Sequence, residues 1–184
     1  MPTSPLPLPH LHLRPATAAD CDNLAALVNA AYRQPLSARA WTTEADFVTG
    51  QRTDAHQLLR LIQTPGIQFL LCVEGSRVVG SMQMTRVRDR LQLGMLAVDP
   101  QYQNQGLGRL LLLEAEPAAR AQQCTTLELL VLQGRNALMA WYERRGWRRS
   151  SETRPFPYGQ PELGEPRRSD LTLCVLTRTV SKET

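Results

Sequence analysis

Leu91 to Arg120 reads LQLGMLAVDPQYQNQGLGRLLLLEAEPAAR, and the order of residue types in it decides the fold. Leu91 to Val98 is apolar and β-compatible, and Asp99-Pro100 stops it, because proline has no N–H to give to a ladder. Gln103-Asn104-Gln105-Gly106-Leu107-Gly108 follows, and then Arg109 to Ala115 are all good helix formers. The stretch predicts a strand, a glycine turn and a helix. The first N–H groups of such a helix have no internal partner, and its dipole places partial positive charge there. Glycines then let an anion approach the main chain closely. A tight βα turn that needs glycine only for its backbone angles is the plainer reading of the same residues.

Three phosphate-binding patterns can be set against this stretch. A P-loop needs Gly-Lys-Ser/Thr, but Arg109-Leu110 follows Gly108, so no hydroxyl is supplied for magnesium. A Rossmann turn needs a third glycine where Leu111 stands. Glu128 lies at the distance of a ribose-binding acid, yet inside the strand-like run Leu127 to Leu132, which leaves a dinucleotide oxidoreductase as a runner-up. The third pattern is Gln103-x-x-Gly106-x-Gly108 after a strand ending Val98-Asp99-Pro100. It resembles the acyl-CoA motif of the GNAT superfamily of N-acetyltransferases. Gly134 to Trp147, GRNALMAWYERRGW, is similar to the second GNAT signature, a helix ending in Tyr-Glu-x-x-Gly-Phe/Tyr. The two signatures stand in the family's order with a strand candidate between them, and the resemblance spans roughly residues 11 to 180.

That resemblance implies an α/β fold of GNAT type, with a central, mostly antiparallel mixed sheet, a V-shaped splay between strands 4 and 5, and flanking helices. It implies direct transfer of an acetyl group from acetyl-CoA to the primary amine of a small-molecule or amino-acid-like acceptor, with no metal. The backbone of Gln103, Asn104, Gln105, Gly106, Leu107, Gly108 and Arg109 would hold the pyrophosphate. Met95, Leu96, Ala97 and Val98 would pair with the pantetheine arm, with the N–H near Leu96 as oxyanion donor. Asn136 resembles a CoA-contacting asparagine but stands one residue nearer the tyrosine than is usual, so Arg135 competes for that place. Tyr142 is the expected acid for the departing thiolate, because a phenol stays protonated at neutral pH. Many GNAT members carry a glutamate on the strand Leu91 to Val98, where this chain offers Gln92. Glu44, Glu128 or a water chain must then take the amine's proton, and Glu44 is the catalytic candidate. Arg-Ala-Trp-Thr-Thr-Glu with Gly50-Gln51-Arg52, and Pro155-Phe156-Pro157-Tyr158-Gly159, resemble a GNAT subgroup. Trp41, Glu44, Arg52, Phe156 and Tyr158 are therefore the expected acceptor-site residues. A non-catalytic acyl-CoA-binding or sensing module and a protein N-acetyltransferase are the alternatives, separated by whether CoA is released and by which acceptor brings the release about.

The totals agree with such a domain. The chain has 184 residues, 42% of them hydrophobic, enough for one domain with a substantial core. Its net charge is +4 and Lys182 is the only lysine, so arginine carries nearly all the positive charge. So modest an excess suits an anionic ligand such as CoA without demanding nucleic acid, and the cluster Arg144, Arg145, Arg148, Arg149 fits a cationic last turn of a helix. No apolar run approaches the roughly 20 residues that cross a bilayer, and the N-terminus lacks a signal peptide's basic start and apolar core. The expected setting is cytoplasmic, with no membrane partner, and a homodimer is compatible with it. Cys21, Cys72, Cys124 and Cys174 show no CxxC pairing and are expected as reduced core residues. His10 and His12 have no third ligand nearby.

In chain order, residues 1–10 form a proline-rich tail expected to be disordered, and 11–180 a single domain. Leu11 to Arg14 predicts a strand. Thr17-Ala18-Ala19-Asp20 reads as a capping box for a helix reaching about Tyr32. Trp41-Thr42-Thr43-Glu44 is a plausible helix start, and Asp54 to Gln63 a second helix. Ile67 to Val73 and Val78 to Val87 predict strands, as do Leu127 to Leu132 and Leu171 to Thr179. Asn136 to Arg145 predicts a helix in which Trp141 is a core residue, and Arg154 to Arg168 a loop. Pro117, inside the helix that starts at Gly106, predicts a kink or an early stop.

Overall fold

The computed structural model describes residues 10–34 and 42–181, and the expectations for the tail at 1–9 and for Trp41 lie outside them. Nine strands and four α-helices run through the described residues. They are β1 (Leu11–Pro15), α1 (Cys21–Arg33), β2 (Val48–Thr49), α2 (Ala55–Ile62), β3 (Ile67–Glu74), β4 (Arg77–Val87), β5 (Arg90–Val98), α3 (Leu107–Ala121), β6 (Thr126–Leu132), α4 (Asn136–Glu143), β7 (Arg148–Pro155), β8 (Glu165–Pro166) and β9 (Thr172–Thr179).

Seven strands make one sheet in the order β1-β3-β4-β5-β6-β9-β7, and β2 pairs with β8 apart from it. Every pairing in the large sheet is antiparallel except β5 with β6. That parallel ladder runs only from Arg90↔Thr126 to Leu93↔Leu129, although both strands continue. The fourth and fifth strands of the sheet, counted from the β1 edge, therefore part company half-way along, and this is the splay.

Two cores cover the two faces. Leu107, Leu111, Leu112, Ala115 and Ala119 of α3 and Met139 and Tyr142 of α4 bury against Leu91, Leu93, Leu127 and Leu129. Leu24, Leu27, Val28 and Ala31 of α1 and Leu58 of α2 bury against Phe69, Leu71, Met95 and Ala97. Strand β5 serves both faces through a bulge. Ser81 pairs with Ala97 and Gln83 with Gly94, so β5 carries one residue more than β4 between these pairs, and Met95 sits there at φ +41°. Leu91 and Leu93 thus point to α3, whereas Met95 and Ala97 point to α1.

Local chemistry explains two of the helix starts. Asp20 accepts from the Thr17 N–H at 2.7 Å and from its hydroxyl at 2.9 Å, and holds Arg14 of β1 through two further bonds. Asp54 caps α2 by accepting from the Gln57 N–H at 2.8 Å. Three expectations need correction. No helix starts at residues 42–44, where turns lead instead to β2. Of the kink or early stop expected at Pro117, the stop does not occur, since helix α3 continues to Ala121. The carbonyl that loses its donor there belongs to Leu113, which is exposed and can turn to water. Residues 148–155 form β7, so the loop expected from Arg154 begins only after Pro155. Strand β7 consists of mostly polar residues at the sheet edge, where an apolar pattern is not needed.

Candidate active site

Beyond Leu93 the main chain of β5 has no partner on its β6 side. The Asp99 N–H donates to the Val79 carbonyl of β4, so by strand alternation the main-chain groups of Val98 and Leu96 face into the splay. Their carbonyls are taken by side chains. Tyr32 Oη donates to Leu96 O at 3.3 Å, and Gln103 Nε2 donates to Val98 O at 3.3 Å. Their N–H groups stay available. Gly106 precedes α3 at φ +88°, a left-handed conformation that a side chain would strain. The first helical bond runs from the Leu110 N–H to the Gly106 carbonyl, leaving the amides of Leu107, Gly108 and Arg109 free.

These groups border a cavity of about 380 Å³ that includes Leu96, Val98, Gln103, Gly106, Gly108 and Arg109. Trp141 forms another wall, 3.5 Å from where a Cβ on Gly108 would lie. Arg145 stacks on the Trp141 ring at 3.7 Å and donates to its carbonyl at 2.8 Å, which fixes a second positive charge beside Arg109. Burial lowers the Arg145 pKa, and the neighbouring charges of Arg144 and Arg109 add to the effect. Gln103 Oε1 is buried in this wall without a hydrogen-bond partner. An acyl-CoA suits the arrangement: free amides and two guanidiniums for phosphates, an orphan acceptor and unpaired strand amides for pantetheine amides.

A second cavity, of about 280 Å³, opens on the other side of the splay and shares Tyr32, Leu96, Arg135, Leu138 and Tyr142 with the first. Tyr142 is buried, its ring edge-on to those of Trp141 and Trp147. Burial raises its pKa well above that of a free phenol, so it is a proton donor across the physiological range. The second cavity is lined by Arg33, Arg52 and Arg135 against one carboxylate, Glu44. Glu44 bridges Arg33 at 2.9 Å and Arg135 at 3.0 Å, joining the end of α1 to the start of α4. Arg33 also donates to the Leu163 carbonyl at 2.8 Å, and burial pushes its pKa down.

The expected site residues fall into three groups. Leu96, Val98, Gln103, Asn104, Gly106, Leu107, Gly108, Arg109, Arg135 and Tyr142 line the first cavity, and Glu44, Arg52, Phe156 and Met95 line the second. Ala97 is buried under α1, while Asn136 and Gln105 are exposed and line neither cavity. Tyr158 lines neither as well. Its hydroxyl accepts from the Leu171 N–H at 2.7 Å and donates to the Arg168 carbonyl at 2.9 Å, closing its own loop. Glu128 faces Gln92 but is buried under Arg90 and Arg154, 2.7 and 2.9 Å away; burial pushes its pKa up, and these bonds more than offset it.

Sequence reading missed Tyr32, Thr42 and Tyr102, which line the first cavity. Trp141, expected in the core, does pack against it and walls the cavity as well, and Arg145, expected in a helix end, lies just past α4 in the same wall. The Arg-rich run after Tyr142 was the one available signal for Arg145. Tyr32 looked like any residue on the apolar side of α1.

A sequence model of the acetyltransferase (GNAT) family matches residues 26–147. Among curated proteins no sequence matches significantly. Among solved structures, the chain is similar to the ribosomal-protein-S18-alanine N-acetyltransferase of Escherichia coli, with TM-score 0.68 and 19% identity over 95% of this chain and 96% of that one. It is similar to the paia N-acetyltransferase of Thermoplasma acidophilum in complex with coenzyme A, with TM-score 0.65 and 17% identity over 92% and 98%. A third is yncA from Salmonella typhimurium with its cofactor acetyl-CoA, with TM-score 0.68 and 18% identity over 95% and 96%. At such identities the likeness is one of fold.

Proposed function

Since the chain belongs to the GNAT family of acetyltransferases, we propose that it transfers an acetyl group from acetyl-CoA to the primary amine of a small-molecule or amino-acid-like acceptor. The observation that carries this reading is that two cavities, one walled by free amides and one by arginines, meet at the buried hydroxyl-bearing residue Tyr142.

Acetyl-CoA supplies a thioester whose carbonyl carbon the amine attacks, with loss of the thiolate. The chain does the rest. The amides of Leu107, Gly108 and Arg109, with Arg109 and Arg145, bind the phosphates, and the Leu96 and Val98 amides with Gln103 Oε1 align the pantetheine arm. The Leu96 N–H supports the oxyanion, and Tyr142 gives its proton to the sulfur and regains one from the attacking nitrogen, which sheds it as the amide forms. The acceptor's amine must arrive unprotonated. Three guanidiniums against one carboxylate disfavour an ammonium ion in the second cavity, so the amine sheds its proton readily on entry. Among the described residues Glu44 is the one carboxylate in that wall, and it receives the proton through water.

The test is thiol release from acetyl-CoA over an acceptor panel, with calorimetry of acetyl-CoA alone. Binding with acceptor-dependent release supports the reading. Binding without thiol release in the presence of any acceptor, free or on a protein, leaves a sensing module. No binding removes the acetyltransferase reading altogether.

A further inference from the structure

The second cavity is more positive than amine binding requires, and its arginines are not equivalent. Arg33 and Arg135 are committed to the fold: they share Glu44, and each donates to a main-chain carbonyl, of Leu163 and of Thr42. Arg52 is not. It makes no ion pair with a described residue, and its Nη1 is buried without a hydrogen-bond partner. Residues 35–41, PLSARAW, include no acid that could pair with it and one further arginine. An unpaired guanidinium nitrogen held out of water costs free energy unless an anion completes it.

The backbone presents Arg52 deliberately. Asn29 of α1 accepts from the Arg52 N–H at 2.6 Å and from the Thr53 N–H at 3.3 Å, and donates to the Thr53 carbonyl at 2.9 Å. The guanidinium lies 5.8 Å from the centre of the Tyr32 ring, and Tyr32 is one of the residues at the junction of the two cavities. A positive group is thus fixed in the acceptor cavity, next to the point where the thioester would be presented. Its planar fork matches a carboxylate through two parallel hydrogen bonds.

We propose that the acceptor carries a carboxylate as well as its amine, and that Arg52 binds this carboxylate. The inference rests on the acetyltransfer reading above and narrows its acceptor. Amino acids and related amino carboxylates fit; polyamines and lysine-rich protein tails are repelled by the same charges.

The experiment is acetyl-CoA-dependent thiol release with the full-length protein over the common amino acids. Each is offered as the free acid and as its carboxamide, beside a set of polyamines, and acetyl-CoA binding is measured separately by calorimetry. At least one free acid should be used with a kcat/KM about 10-fold or more above its amide, the scale of one charge-assisted contact. Arg52→Gln should bring that ratio close to one, mainly through KM, and Arg52→Lys should restore part of it. A residue that merely braces the fold would lower both rates and leave the ratio alone, which would overturn the assignment. A protein that binds acetyl-CoA but prefers amides or polyamines, or uses no member of the panel, overturns this inference alone. A protein that gives no heat with acetyl-CoA overturns it together with the reading beneath it.

Discussion

The phenol of Tyr32 donates to the main-chain carbonyl of Leu96 at 3.3 Å, tying α1 to the part of β5 that the splay leaves without a neighbour. One hydrogen bond therefore couples the helix under the acceptor cavity to the strand that would align the thioester. Tyr32→Phe removes the donor and leaves the carbonyl bare. We expect kcat/KM for acetyl transfer to fall about 3- to 10-fold, the equivalent of about 1 kcal/mol, with a drop of a few degrees in Tm. Steady-state kinetics beside a thermal melt checks this. A lowered Tm with unchanged kcat/KM would reduce Tyr32 to a packing residue.

Tyr142→Phe should lower kcat by about 100-fold or more, the usual worth of a positioned acid, while acetyl-CoA affinity by calorimetry stays within about 2-fold. Burial raises the phenol's pKa, so the donor form persists as pH rises. The wild-type kcat should accordingly show no alkaline loss below about pH 10, the range of a free phenol. An alkaline limb near pH 8 that disappears in the Phe variant would contradict the raised pKa, and a parental kcat in the Phe variant would remove Tyr142 as the acid.

Gly106 and Gly108 are glycines for different reasons. The first is held at φ +88°, so Gly106→Ala should cost about 1–2 kcal/mol of stability and weaken acetyl-CoA binding by distorting the amides. A Cβ on the second would meet Trp141 at 3.5 Å, an ordinary contact, so Gly108→Ala should fold and bind nearly as the parent. Gly108→Leu should block the cavity. Calorimetry of the three variants decides, and equal loss from both alanines would refute the distinction.

Glu44 joins Arg33 to Arg135, two largely buried side chains. Glu44→Ala leaves both guanidiniums without their partner and should cost about 3–5 kcal/mol. Glu44→Gln keeps hydrogen-bond acceptance and should cost less. If Glu44 receives the amine's proton, the Gln variant should lose kcat by about 100-fold while still binding acetyl-CoA. A Gln variant with parental kcat would leave Glu44 with its bridging role alone.

Asp20 is held far below the usual carboxylate range, first by its hydrogen bonds to Arg14 and, against the opposing effect of burial, by those from Thr17. A depressed folded-state pKa means stability that is present above the unfolded carboxylate's range and lost as pH falls. Asp20→Asn should cost about 1–2 kcal/mol at pH 7. The gap between the two proteins should begin to close below about pH 4. Urea melts across pH check it, and a gap that widens on acidification would contradict the sign.

Local sequence carried the elements whose cause is local. The apolar runs of β3 to β6, the Thr17–Asp20 and Asp54 caps, the glycine turn at Gly106 and the helix before Gly146 are visible because propensity, capping and periodicity act within a few residues. Strand β7 was not visible, since an edge strand facing water needs no apolar alternation. Nor was the passage of α3 through Pro117, where packing of Leu111, Ala115 and Ala119 outweighs one lost bond.

By itself the sequence determined that a strand runs into an anion-ready helix start, that a tyrosine-bearing helix follows one strand later, and hence the family. Only the tertiary structure decided what surrounds them. It brought Tyr32, Glu44, Arg52 and Arg135, up to about a hundred residues apart in the chain, to one cavity, and it turned Asn136 and Tyr158 away from it. The reason is physical: which side chain faces a cavity depends on strand register, on the single extra residue at Met95, and on where β5 and β6 separate. These are set by contacts between distant segments, and no short window of sequence records them.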